Sequence, residues 1–304
     1  MIRPVVVGSA SRDLSADDPR GWRLGGPAAF AGLVLARLGL RPRVLLGVDR
    51  DAAGAQELMW LRDAGAELQL VSLAAAPVFD NVERPTGRLQ VSRGRGADIP
   101  VAAPRSWSDA GAWLLLPVMG ELSDGWASVP PADALVVVGW QGLLRDIDAA
   151  NVVVRHPPGP SPFLARAAIV GVSRFDLAPD APIPALAGLL AASATLYVTD
   201  AERGGLIVRI GEPGLPGRPR LRRYPAIPAA RVVDPTGAGD AFLAGIVAAR
   251  LGHPLAGSGR RGGDARLAAA VASLVVEAPG LAGVPDLAAV SERLRSSLDR
   301  RPAG

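Results

Sequence analysis

The chain has 304 residues and a formal net charge of only +4, and every one of its 33 basic residues is arginine. Without cysteine it has no disulfides, thiolate metal sites or cysteine nucleophiles, and without lysine it has neither Schiff-base chemistry nor a P-loop lysine. No apolar run of about 18 residues and no leader-like N-terminus is present, which predicts a cytoplasmic chain without a membrane span.

Ile2 to Val7 is a short β-branched run ending at Gly8, as expected of a buried first strand. Asp13 follows in a polar segment. The pair Gly25-Gly26 precedes a helix that opens on Pro27-Ala28-Ala29-Phe30 and stops at Gly39. Arg43 to Gly47 reads as a second strand, and Asp51 as the cap of a helix running through Leu58 and Leu61 to Gly65. Glu67 to Val71 is a third strand. This alternation argues for an α/β fold with a doubly wound, mostly parallel sheet flanked by helices.

Residues 77–100 differ in character. Phe79-Asp80-Asn81-Val82-Glu83, a Pro85-Thr86-Gly87 turn and Arg88-Leu89-Gln90-Val91 read as a hairpin of mixed polarity. Further strands are expected at Ala112 to Leu116, Ala134 to Val138, Asn151 to Val154, Ala168 to Val172, Thr195 to Thr199 and Leu206 to Ile210. Ligands of such sheets bind beyond the strand C-termini, which makes Gln141 a site neighbour; Trp140 beside it reads equally well as core. Gly211 to Arg223 reads as a surface loop or loose hairpin. The two histidines, His156 and His253, adjoin prolines and suit loops better than catalysis. Arginine pairs such as Arg222-Arg223 and Arg260-Arg261 lack interleaved aromatics, so no nucleic-acid partner is expected.

The most specific stretch is Arg231 to Leu251. Asp234-Pro235-Thr236-Gly237 forces a turn, and from Ala238 the apolar residues Ala241, Phe242, Gly245, Ile246 and Ala249 recur at helical spacing. The first N–H groups of such a helix have no partner within it and face an anion favourably. Asp240 stands in that first turn. A carboxylate beside an anion hole suits a site where it takes a proton from a hydroxyl while the N–H groups hold a transferring phosphoryl group.

The string Asp234-Pro-Thr-Gly-Ala-Gly-Asp240 resembles the signature near the C-terminus of the PfkB, or ribokinase-like, carbohydrate kinases. The resemblance implies a single domain over 1–304 with a small discontinuous β lid from about 9–26 and 77–100. It implies Asp240 as the catalytic base and Gly237, Ala238 and Gly239 as the anion hole. Asp13, Gly25 and Gly26 match the places that contact sugar hydroxyls, and Asn81 matches a lid contact; a plain surface hairpin is the competing reading of that segment. Phe30 stands where the family usually has Asn, which is similar to its inositol-kinase-like branch, although a core role on the helix explains Phe30 equally well. Ser173-x-x-Asp176 replaces the family's N-x-x-E, with Asp176 implied to hold Mg²⁺ through water and Ser173 also readable as a helix cap. Thr199 and Gly204 match the turn that holds nucleotide phosphate and ribose, with Ala201 in place of its middle glycine. Asp234 and Thr236 match oxygens offered to a monovalent cation such as K⁺, and Ala272 lies on an Ala-rich helix that would flank adenine.

These matches imply an ATP-dependent kinase acting on a hydroxyl of a sugar or cyclic polyol, with a homodimer formed through the lid edges. The departures at Phe30, Ser173 and Ala201 leave open a catalytically weak regulator that binds nucleotide or polyol on the same fold. A dinucleotide-dependent oxidoreductase fits poorly, because no G-x-G-x-x-G follows the first strand.

Overall fold

A computed structural model describes residues 2–84, 87–211, 219–257 and 262–299 of the chain. In β1 (Val5–Ser9) every residue is buried, and alternate side chains part to opposite faces, Val6 into one core and Val5 and Val7 into the other. That is the pattern of a central strand covered on both sides. It recurs in β4 (Arg43–Val48), β8 (Ala112–Leu115), β9 (Leu135–Gly139) and β12 (Ile169–Ser173). With β5 (Glu67–Ser72), β13 (Thr195–Thr199), β14 (Gly205–Arg209) and β15 (Arg220–Tyr224) they form a nine-stranded sheet in the order β15-β14-β13-β12-β9-β8-β1-β4-β5. Pairing is parallel from β13 to β5 and antiparallel at β14 and β15.

The two faces are covered unequally. On one lie α1 (Pro27–Arg37), α2 (Glu57–Asp63), α4 (Ala238–Arg250), α5 (Gly263–Val275) and α6 (Leu287–Asp299). The other is covered by the short α3 (Pro162–Arg166), by 3₁₀ turns and by the buried indoles of Trp107, Trp113, Trp126 and Trp140. The chain there is rich in proline and glycine, which interrupt helices, so large side chains fill the space a long helix would occupy.

A second, four-stranded sheet has the order β3-β2-β6-β7, from β2 (Ser11–Leu14), β3 (Trp22–Gly25), β6 (Val78–Arg84) and β7 (Gly87–Gly94). The polar segment around Asp13 is thus a strand of this small sheet. Arginines tie this sheet to the larger one. Arg12 reaches Asp49 at 2.8 Å and Asp51 at 3.0 Å, and Arg20 reaches the buried Glu57 at 2.6 Å. The Trp22 ring lies 5.6 Å from the Arg12 guanidinium and 4.6 Å from that of Arg20. Asp51 accordingly serves Arg12 and caps no helix with its side chain, and α2 begins only at Glu57.

One further expectation changes. The strand expected at Asn151 to Val154 is found as β11 (Val153–Arg155), outside the large sheet, paired only with β10 (Arg145–Ile147) and bridged to β7 at Val91–Val152. Asn151 turns the chain there with φ 61°, and Asp148 accepts from the N–H groups of Ala150 and Val152 at 2.9 and 2.8 Å. Of the two readings of Gly211 to Arg223, surface loop or loose hairpin, the described part agrees with the hairpin: β15 pairs antiparallel with β14 as an arginine-rich edge strand, a composition that discourages edge-to-edge pairing. The Pro85-Thr86 turn, residues 212–218 and the Arg260-Arg261 pair lie outside the described residues. Among the described residues no helix is long and apolar enough to cross a membrane.

Candidate active site

The turn into α4 is held by its backbone. Gly237 has φ 77°, which favours glycine, and a Cβ on it would meet the Phe30 ring at 2.3 Å. Phe30 is therefore a buried wall behind the turn, which settles its role as core. Asp234 organises the approach, with one carboxylate oxygen accepting from Thr236 N at 2.9 Å and the other from Gly280 N at 3.0 Å. The oxygens expected to face a monovalent cation thus tie the turn to the segment after α5. Gly239 has open space around the position of a Cβ. A ligand can therefore approach the backbone at the helix start, where N–H groups and dipole favour an anion.

Asp240, in the first turn of α4, has its carboxyl pushed up to about 7. Burial is the main cause; the charges of Asp176 and Asp13 push the same way and Arg145 opposes them. The residue as a whole is half-buried, so the carboxyl is withdrawn from water without being sealed in the core. Four side chains from distant parts of the chain therefore share one electrostatic centre: Asp13 on β2, Arg145 on β10, Asp176 after β12 and Asp240 on α4. Sequence reasoning named the three carboxylates and missed Arg145. Its only local signal is its place six residues beyond the end of β9, on the sheet edge where Gln141 was singled out.

Asp176 is buried, and both its oxygens accept from the Gln141 amide at 3.2 Å. Arg145 and Arg155, cross-strand partners in β10 and β11, approach the same carboxylate at 3.8 and 3.9 Å. A carboxylate so surrounded by donors does not fit a directly ligated magnesium, and among the described residues no group of three or more His, Cys, Asp or Glu side chains could hold a metal. Ser173 caps the turn before Asp176, its Oγ accepting from Phe175 N at 3.2 Å.

On the small-sheet side, Ser11 Oγ lies 3.3 Å from Asp13 Oδ1, and a Cβ on Gly25 would meet Asp13 Oδ2 at 2.5 Å. Gly26 has φ 99° and lies so close to Ser9 O that a Cβ would meet it at 2.5 Å. The glycine pair thus brings the strand carrying Asp13 tightly onto the start of α1. Buried Glu121, which sequence reasoning also missed, accepts from the N–H groups of Ser9 at 3.2 Å and of Val118 and Met119 at 2.9 Å, fixing the end of β1 where the chain enters the small sheet. Burial pushes its carboxyl up. Asn81 accepts from Gln90 across β6 and β7 at 3.0 Å and shows no electrostatic coupling to the carboxylate centre among the described contacts.

Beyond β13, Thr199 ends the strand and Gly204 turns the chain with φ 79°, a Cβ there meeting Tyr224 O at 2.1 Å. Ala201, where the motif calls for glycine, takes φ 46°. The turn keeps a left-handed shape without the residue that adopts it most easily. Ala272 lies half-buried on α5 against the helical core.

Residues 177–287 match the pfkB family carbohydrate kinase profile. Solved structures agree over nearly the whole chain. A pyrophosphate-dependent kinase in the ribokinase family, complexed with a pyrophosphate analog and myo-inositol, superposes with TM-score 0.72 at 16% identity, covering 96% of this chain and 99% of the other. The chain has the ribokinase fold. Arabidopsis thaliana ribokinase, complexed with ribose and ATP, shares it at TM-score 0.68 and 20% identity over 97% of this chain and 99% of the other. A Methanocaldococcus jannaschii nucleoside kinase shares it at TM-score 0.67 and 18% identity over 97% and 99%. No curated protein matches the sequence. The ribokinase fold places the α4 turn, Asp176 and Gln141 together beyond the C-terminal ends of the parallel strands, where ligands of such sheets bind.

Proposed function

We propose that the chain is a kinase that moves the γ-phosphoryl group of ATP to a hydroxyl of a sugar or cyclic polyol. The observation that carries this reading is a carboxylate, Asp240, in the first turn of a helix whose start, Gly237 at φ 77° and the open Gly239, is shaped to receive an anion, with burial pushing that carboxyl up to about 7. A base is most effective when its pKa lies near the working pH. Asp240 takes the proton of the attacking hydroxyl, and the N–H groups from Gly237 to Gly239 hold the charge of the moving group. Asp13 accepts from another hydroxyl of the acceptor, with Gly25 and Gly26 allowing close approach of the backbone. The sheet from β2, β3, β6 and β7 is the lid that excludes water, with Asn81 and Gln90 on its strands. Thr199, Gly204 and Ala272 lie on the nucleotide side. Magnesium would travel on the donor's phosphates and neutralise them, since the described residues offer it no cluster of three or more His, Cys, Asp or Glu ligands.

The likeness to a pyrophosphate-dependent kinase supports pyrophosphate as a second donor. The deciding experiment follows phosphoryl transfer to pentoses, hexoses, nucleosides and inositols with ATP or pyrophosphate, each with magnesium. One acceptor that stimulates donor consumption is the expected result. Donor binding with no acceptor stimulated across the panel would favour the regulator.

A further inference from the structure

Several arginines among the described residues are held by a carboxylate at hydrogen-bond distance. Arg12 lies 2.8 Å from Asp49, Arg20 lies 2.6 Å from Glu57 and Arg293 lies 2.7 Å from Glu277. Arg145 is the contrast. Its side chain is only 15% exposed, its nearest carboxylate is Asp176 at 3.8 Å, and its guanidinium makes no hydrogen bond to another described residue. Both Asp176 oxygens accept instead from the Gln141 amide, four residues before Arg145. Asp176 therefore balances the charge of Arg145 without taking up its N–H groups.

A guanidinium cannot shed its proton, and one largely withdrawn from water with no carboxylate at hydrogen-bond distance is open to an anionic ligand. The arrangement is satisfied when a group with two anionic oxygens enters between Arg145 and Asp240, since the planar fork matches a phosphoryl group in bidentate fashion. The electrostatic surroundings agree: Asp176 and then Asp240 are the main charges that favour the protonated guanidinium against its burial. A doubly charged phosphoryl group entering among Asp13, Asp176 and Asp240 would meet only repulsion from them; of the two arginines beside Asp176, Arg145 is 15% exposed and Arg155 52%, which makes Arg145 the cation set on the inner side to offset it.

We propose that Arg145 is a catalytic residue whose guanidinium grips the non-bridging oxygens of the phosphoryl group in transit. The proposal rests on the kinase reading. The acceptor oxygen forms a new bond to phosphorus as the bond to the donor's bridging oxygen breaks. That electron pair leaves with the donor, and the hydroxyl proton passes to Asp240. Charge spreads over the non-bridging oxygens at that moment, and a fixed cation there lowers the barrier.

The test compares the wild type with Arg145→Gln and Arg145→Lys. Arg145→Gln is expected to lose at least about a hundredfold in kcat, the scale of a missing transition-state donor, with acceptor KM within about threefold. Arg145→Lys, which keeps the charge without the fork, is expected to recover only part of this. Retention of kcat within about threefold in Arg145→Gln, or a loss confined to acceptor KM, would overturn the proposal. Calorimetric titration with pyrophosphate supplies an arm that needs no turnover. The wild type should bind it, and Arg145→Gln should bind at least about tenfold more weakly. Equal binding by both, or none by the wild type, rejects the contact. If the wild type binds pyrophosphate through Arg145 yet transfers nothing to any acceptor, the kinase reading fails while the anion site stands. Thermal unfolding identifies a variant that does not fold, and if that is Arg145→Gln, Arg145→Lys carries both arms.

Discussion

At the start of α4 the groups facing an anion belong to the backbone, on a turn that Gly237 holds at φ 77° against the Phe30 ring. Across the site the charges are side chains, Asp13, Arg145 and Asp176, carried there by β2, β10 and the turn after β12. The first half is fixed by what cannot be added to it, because any side chain at 237 collides with a ring. The second is fixed by balance, since each charge is held by the others and moving one changes all of them. A backbone-built half should fail abruptly when substituted, and a side-chain-built half should retune by degrees.

Gly237→Ala is the severest way to break the first half. It combines a left-handed backbone with the Phe30 contact at 2.3 Å, so we expect a stability loss of about 1–3 kcal/mol, together with loss of activity. A denaturant midpoint equal to that of the wild type would show that Phe30 gives way freely.

Gln141→Leu probes the second half. Freed from Gln141, Asp176 closes on Arg145 and draws the guanidinium aside, and turnover should fall about ten- to a hundredfold with the unfolding midpoint little changed.

The pH dependence sharpens the same contrast. Asp240 acts as a base only when ionised, so kcat/KM should rise with pH and level off above about 7. Stability should run the other way. The folded carboxyl titrates at about 7 against an ordinary 3.8, so its contribution is fully present below 3.8 and is lost as pH rises through about 7. Asp240→Asn should therefore unfold at a higher temperature than the wild type above pH 7, and this advantage should vanish on acidification towards pH 4. The smallest effect is expected at Ala201→Gly, where relief of φ 46° against the flexibility of glycine should gain at most about 1 kcal/mol in thermal unfolding.

The same division decides what the sequence discloses. The α4 turn is contiguous, so Gly237, Gly239 and Asp240 stand together in the chain and their spacing carries the geometry. The parallel strands are legible because their apolar runs must be buried on both faces. Arg145 and Glu121 carry no such local pattern. Lysine is absent and arginine supplies all 33 of the permanently charged basic side chains, so one among them attracts no notice until the fold sets it among three carboxylates. β2 was legible only through the family resemblance, since a strand of the small sheet needs no apolar run, and β15 only as one arm of a possible hairpin, because the charges that protect an edge mask a strand pattern. Phe30 had two readings in the sequence, and only the packing of its ring under Gly237 separates them.

The central claim is that Asp240 is the base of a phosphoryl transfer, and acceptor-dependent donor consumption by the wild type and Asp240→Asn, measured side by side at pH 8, tests it most directly. The account predicts a loss of at least about a hundredfold in the variant with its fold intact. Undiminished turnover in Asp240→Asn would contradict it.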